Sequence, residues 1–340
     1  MKISNCLTLA AVAGFSVAGA VSAQAINAAG ATFPYPIYSR WFDSYKKLHS
    51  GVEINYQSIG SGAGITQLKE GTVDFGASDR PMTDEEIASC KVKPLHFPTV
   101  LGAVVVTYNL PGLKQDLKLT PEVIARIFML KITKWNDPQI ARLNPGVKLP
   151  NDDIVVVHRA EGSGTTFIFT DFLTKTSPEW QKAVGANQSP KWPGGLGQKG
   201  NEAVAGTVKQ TPGAVGYVEL AYVLQNRMQS AVVENAEHQF VKASLESVTA
   251  AAAGAAKSMP ADFRVSITNA PGKTSYPISS FTWLLIPSKI PDAKKKAAIT
   301  GFLKWMLNEG QAVAPQAPLY YAPLPKSVVA LETKQILQIQ

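Results

Sequence analysis

The sequence predicts an α/β protein of two domains, and three observations carry that prediction. Short strand-like runs alternate with helical ones, the pattern of a largely parallel sheet flanked by helices in each domain. The chain has 340 residues, and the roughly 315 that follow an export segment exceed what one hydrophobic core holds. No repeat period is present, which sets solenoids and propellers aside.

Taken in order, residues 1–25, "MKISNCLTLAAVAGFSVAGAVSAQA", read as a secretory signal. Lys2 gives a short basic start, an apolar stretch follows, and small residues end it with a cut after Ala23 or Ala25. Cys6 lies too early for a lipidation site and follows Ile-Ser-Asn. Next, Ile37, Tyr38, Trp41, Phe42, Tyr45 and Leu48 recur at helical spacing. "VEINYQSI", "VDFGAS" and "LGAVVVTYN" read as strands. "TPEVIARIFML" opens with a Thr cap and Pro at the first helical position. "DIVVVHR", "AVGYVEL", "FRVSI" and "SSFTWLLIP" are further strand candidates. The tract Thr249 to Ala256 is an Ala-rich helix, and Lys295 to Leu307 carries an apolar helical face.

Composition removes several classes of function. After signal cleavage Cys90 is the single cysteine, so no internal disulfide forms and the fold rests on its core. The net charge of +8 comes from scattered Lys and Arg, and the densest run, Lys294-Lys295-Lys296, reads as a helix's solvent face. Nucleic-acid binding wants basic residues clustered with aromatics; a diffuse positive field instead attracts small anions. Beyond the signal no apolar run reaches membrane length. His49, His96, His158 and His238 are dispersed, with no spacing that holds a metal, and no cofactor motif is present.

Three places share one local design, a strand, then a Gly/Ser/Thr loop, then a helix. They are Gly30-Ala31-Thr32-Phe33, Gly60-Ser61-Gly62-Ala63-Gly64 and Gly162-Ser163-Gly164-Thr165-Thr166. The first N–H groups of a helix lack intrahelical partners, and the helix dipole adds partial positive charge there. Glycines let an anion approach the backbone and hydroxyls add neutral donors. Taken singly, each loop reads first as a capped helix after a tight turn; three in one chain point to a shared ligand.

Two ionisable residues sharpen this. Arg159 precedes the third loop and has the fork geometry for an oxyanion, or for an ion pair with Glu161. Asp79 ends a strand, where ligands gather in open α/β sheets. An ionised carboxylate only accepts hydrogen bonds, so it accepts one from the O–H of hydrogen phosphate and repels fully ionised sulfate. Enzyme motifs fail: Ser163 sits in Gly-Ser-Gly rather than G-x-S-x-G, and "APGKTS" lacks the first Walker glycine, having Ile267 there. His158, adjacent to Arg159, points to the opposite face of a strand.

On "AGATFPYPIYSRW", "YQSIGSGAGITQL", "VDFGASDRPM", "GSGTTFIFTDFL", "KGNEAVAGTVKQTPGAVGYVELAY" and "SYPISSFTWLLIP", the chain resembles the PstS family. These are the periplasmic phosphate-binding proteins of bacterial phosphate-specific ABC importers. The resemblance covers essentially the whole mature chain. It implies two α/β lobes with a ligand cleft at the hinge, one lobe being 26–103 plus 279–340 and the other 104–278. It implies a periplasmic protein, monomeric in solution and outside the membrane, that binds inorganic phosphate. Delivery is to an inner-membrane permease with ATP-binding subunits, and no catalysis is involved. Carried over by position, the ligand contacts are Thr32, Phe33, Ser61, Asp79, Arg159, Ser163, Gly164 and Thr165. Glu161 stands where the family commonly has Asp, and braces Arg159 through one more methylene. The alternatives are another oxyanion or a phosphonate as ligand, and a secreted phosphatase using Ser163 or His158.

Overall fold

The computed structural model describes residues 23–257 and 259–340, so the signal segment lies outside the described residues except for its last three. The first part of the chain runs β1 (Gln24–Gly30), α1 (Tyr35–Leu48), β2 (Val52–Ser58), α2 (Ser61–Glu70), β3 (Phe75–Ser78) and α3 (Asp84–Ala88). The long strand β4 (Pro94–Tyr108) leads into β5 (Lys118–Leu119), α4 (Pro121–Phe128), α5 (Pro138–Leu143), β6 (Val155–Arg159), α6 (Gly164–Thr176) and α7 (Pro178–Ala183). Then come β7 (Leu196–Gln198), α8 (Gly200–Gln210), β8 (Ala214–Glu219), α9 (Leu220–Asn226), β9 (Gln229–Ser230), β10 (Val232–Glu234), β11 (Phe240–Val241) and α10 (Leu245–Ala255). The chain closes with β12 (Ser279–Pro287), α11 (Ala293–Trp305), a π-helical turn (Met306–Gly310), α12 (Gln311–Val313) and α13 (Lys326–Ile336).

Local chemistry accounts for the element starts. Thr120 accepts from the Val123 amide at 3.3 Å with Pro121 behind it, so α4 begins where the motif says it should. On α1 the residues Ile37, Tyr38, Trp41, Phe42 and Tyr45 are buried against the sheet and α11, whereas Leu48 is 66% exposed in the last turn. Of the basic run, Lys295 is partly buried in an ion pair with Asp74 at 2.7 Å, so that residue is not a purely solvated one.

The principal sheet has the order β2-β1-β3-β12-β4-β8-β6-β7, with β9 also on β4. Its two ends are parallel, β2-β1-β3 on one side and β8-β6-β7 on the other. The middle is antiparallel, so the two largely parallel ends are joined into one sheet. The cause is β4, fifteen residues long. Its first part, Pro94 to Ala103, pairs with β12, and its last part, Val104 to Tyr108, pairs with β8. One strand therefore belongs to both halves of the molecule. A correction concerns "FRVSI", residues 263–267, which forms no strand. Phe263 has φ of +59°, which breaks an extended run, and its carbonyl accepts from Trp283 Nε1 at 3.0 Å. Its alternating pattern marks burial of Phe263 and Ile267 without a ladder.

Candidate anion-binding site

Each half of the sheet delivers loops to one buried enclosure. In the first loop, β1 ends at Gly30 and the chain turns through Thr32 and Phe33 into α1. The turn is held by hydroxyls from afar: Tyr222 donates to the Thr32 carbonyl at 2.6 Å and Tyr321 to the Phe33 carbonyl at 2.7 Å. In the second, Gly60 lies at φ +97°, a conformation an L side chain adopts at a cost, and Ser61 opens α2. In the third, Ser163 caps α6 by accepting from the Thr166 amide at 3.1 Å. A fourth helix start joins them. The amides of Gly200 and Asn201, opening α8, point at Glu161 Oε1 (3.0 Å) and Thr32 Oγ1 (3.3 Å).

Asp79, just beyond β3, is 2% exposed. Thr282 donates to its Oδ1 at 2.9 Å, Ser61 Oγ lies 3.4 Å from Oδ2, and the Asp79 amide donates back to Ser61 Oγ at 3.1 Å. Burial pushes its pKa up to about 7, against the opposing pull of the Thr282 hydroxyl, the Arg159 charge and the Ser61 and Thr165 hydroxyls. Without a ligand the carboxyl therefore titrates near neutrality.

Arg159 ends β6, and its side chain is 1% exposed. Nε donates to Glu161 Oε1 at 2.8 Å and Nη2 bonds the same oxygen. Its backbone amide donates to Tyr217 Oη at 3.2 Å, which fixes the strand end. Nη1 is buried and has no hydrogen-bond partner among the described residues. Burial raises the Glu161 carboxyl, but the Arg159 bond and charge and the Gly200 amide outweigh it and hold the pKa below the usual range. Glu161 thus stays ionised, occupies one side of the guanidinium and leaves Nη1 for something else.

The two halves meet across this enclosure. The Gly62 amide donates to the Gly162 carbonyl at 2.9 Å, and Arg80 Nε donates to Gln188 Oε1 at 2.9 Å. Gly164 is packed so tightly that a Cβ there would sit 2.6 Å from Asp79 Cβ and 2.8 Å from the Asp79 nitrogen, and closer still to Ser61 Oγ. Only glycine permits this approach.

All nine residues singled out from sequence converge here. Thr32, Phe33, Ser61, Asp79, Arg159, Ser163, Gly164 and Thr165 are buried, and Glu161 is half-buried beside Arg159. Sequence reasoning missed Asn201, Thr282, Tyr222 and Tyr321. Asn201 sits in the quoted "KGNEAVAG" at a helix start, the same signal as the other loops, but without a serine or threonine beside its glycine. The hydrolytic arrangement is unsupported by geometry. Ser163 Oγ is engaged as the helix cap, and the His158 ring stacks on Trp192 with centroids 4.8 Å apart. Among the described residues no group of three or more His, Cys, Asp or Glu is placed to hold a metal, and no helix is long and apolar enough to cross a membrane.

The chain and its fold resemble known proteins. A family model described as a PBP superfamily domain matches residues 16–309. The phosphate-binding protein PstS of Xylella fastidiosa is 46% identical over 305 residues, 89% of this chain and 82% of its own length. The chain belongs to the PstS family. The PstS protein of Methanocaldococcus jannaschii is 38% identical over 337 residues, covering 93% of this chain and 86% of its own. Among solved structures, a phosphate-binding protein from Stenotrophomonas maltophilia aligns with a TM-score of 0.72 at 22% identity, covering 92% of this chain and 94% of that one. The last likeness establishes the two-lobed fold.

Proposed function

We propose that this chain binds inorganic phosphate, as hydrogen phosphate, between its two halves and delivers it to an ABC permease from the periplasm. The observation that carries the reading is the pairing of a buried, unpartnered Arg159 Nη1 with a buried carboxyl, Asp79, among the N-termini of four helices. An anion satisfies the guanidinium and the helix termini; only an anion that carries a proton also satisfies an ionised Asp79. Inorganic phosphate retains a proton at neutral pH and sulfate does not.

In this reading Arg159 supplies the charged donor and Glu161 braces it. Phe33, Gly164 and Thr165 offer backbone amides. Thr32, Ser61, Ser163 and Thr165 offer hydroxyls; each accepts a hydrogen bond from a protein donor, and in the ligand-free protein those of Ser61 and Thr165 turn to the Asp79 carboxyl. Each hydrogen bond to a charged ligand contributes about 1.5–3 kcal/mol, so several support micromolar or tighter binding after the costs of closure. The lobes divide as 26–103 plus 279–340 and 104–278, a division supported by the change of partner along β4 between Ala103 and Val104 and by the start of β12 at Ser279. Cleavage of the signal after Ala23 keeps β1 whole and leaves the Gln24 nitrogen, 2.7 Å from the Gly51 carbonyl it donates to, as the new terminal amino group.

Calorimetry tests this on protein unfolded and refolded to strip endogenous ligand, titrated with phosphate, sulfate and a phosphomonoester at pH 8. One-to-one phosphate binding with the other two silent is expected. No heat with phosphate, or phosphate released from the ester, overturns the reading.

A further inference from the structure

A hydroxyl that accepts from a fixed N–H turns its own proton away from that donor, which biases it toward a ligand on the other side. Three of the four hydroxyls facing the enclosure accept from backbone amides, Ser61 from Asp79, Ser163 from Thr166 and Thr32 from Asn201. Thr32 and Thr165 also converge on one side chain. Asn201 Nδ2 donates to Thr32 Oγ1 at 2.7 Å and to Thr165 Oγ1 at 3.1 Å. Thr32 belongs to the half built on β1 and Thr165 to the half built on β6, so a single amide group spans the cleft. Its orientation is not free. Oδ1 accepts from the Glu219 backbone amide at 3.0 Å, a group that only donates, so the NH2 must face the two threonines. Asn201 and Thr32, Thr165 and Glu219 are all buried.

We infer that Asn201 is a positioning residue for anion binding: it latches the two halves and, by donating to both threonine oxygens, keeps the Thr32 and Thr165 protons turned away from itself and available to the ligand. The inference rests on the proposed phosphate reading. Its chemistry makes a sharp demand on charge and hydrogen count. Aspartate has nearly the same shape and keeps the bond from the Glu219 amide. Its second oxygen, however, accepts where Asn donates. Both threonine protons then turn away from the ligand and toward the carboxylate, and a negative charge is added beside the anion.

The test is calorimetric titration with inorganic phosphate of the wild type, Asn201→Asp, Asn201→Ala, Thr32→Val and the Asn201→Ala/Thr32→Val double variant, all stripped by refolding. Wild-type binding is the control for the underlying reading: its absence removes that reading, whatever the variants do. Given wild-type binding, Asn201→Asp is expected to lose at least about a hundredfold in affinity at pH 8 and to regain a large part of it, relative to wild type, as the new carboxyl protonates at lower pH. Asn201→Ala is expected to lose about tenfold, and that loss is expected to shrink to less than about threefold when Thr32 is already Val, because the proton it orders is gone. A purely structural role predicts neither the pH-dependent recovery nor the non-additivity. Asn201→Asp affinity within threefold of wild type at pH 8, or fully additive losses in the cycle, overturns the inference. Should Asn201→Asp fail to fold, the Ala/Val cycle alone decides.

Discussion

Replacing Asp79 by Asn isolates the cost of keeping a carboxyl in a dry cleft. Asp79 is 2% exposed, and its pKa rises from 3.8 to about 7 on folding, chiefly through burial. At 1.36 kcal/mol per pKa unit that displacement corresponds to about 4 kcal/mol. The sign follows from linkage. A group whose pKa is raised in the folded state binds its proton more tightly there. The associated stability is full below the unfolded value and is lost as pH rises through the folded one. In the ligand-free protein the ionised Asp79 therefore costs about 4 kcal/mol above pH 7 and almost nothing at pH 4. Asn carries no charge and keeps the acceptor for Thr282. The stability of Asp79→Asn relative to wild type should climb by about 4 kcal/mol between pH 4 and 8, nearly all of it below pH 7. Urea unfolding of both proteins across that range, with phosphate stripped, measures it. The buried carboxyl Glu332, also pushed up by burial, is common to both proteins and drops out of the difference. A gap that stays constant from pH 4.5 to 8.5 refutes the account of Asp79.

The same proton governs ligand choice. Sulfate affinity of the wild type should fall about tenfold per pH unit above pH 7 and level off below it, while phosphate, which brings its own proton, changes far less; a flat sulfate profile by calorimetry contradicts this. Gly164→Ala should cost at least about a hundredfold in phosphate affinity, because the new Cβ meets the Asp79 backbone nitrogen at 2.8 Å and holds the halves apart; near-normal binding by the folded variant means that this approach is not needed. Glu161→Gln leaves the buried Arg159 without its counter-charge and should destabilise the ligand-free protein by about 3 kcal/mol. Phosphate then supplies the missing negative charge, so saturating phosphate should raise the melting temperature more in Glu161→Gln than in wild type, and an equal or smaller rise argues against Arg159 as the anion's charged partner.

The anion loops were legible because their signal is local. A glycine and a hydroxyl residue at a helix start are dictated by the geometry of that turn, so Gly60-Ser61, Ser163-Gly164 and the Thr120-Pro121 start of α4 are readable from a few consecutive residues. The strand β12 was legible for the same reason, as an apolar run bounded by turn residues. "FRVSI" was not, because alternation reports burial and cannot distinguish a ladder from an irregular buried segment.

What the sequence alone determined about this protein is therefore its elements, its family resemblance and the residue types that an anion demands. Only the tertiary structure decided that β4 changes partners midway and turns two sheets into one with an antiparallel centre. It alone brought Thr282 to Asp79 across 203 residues of chain, and Asn201 to Thr32 across 169. Pairings of that kind depend on where distant strands end once the core has packed. No local propensity encodes them, and they set the proton on Asp79 and the direction of the hydroxyls around it.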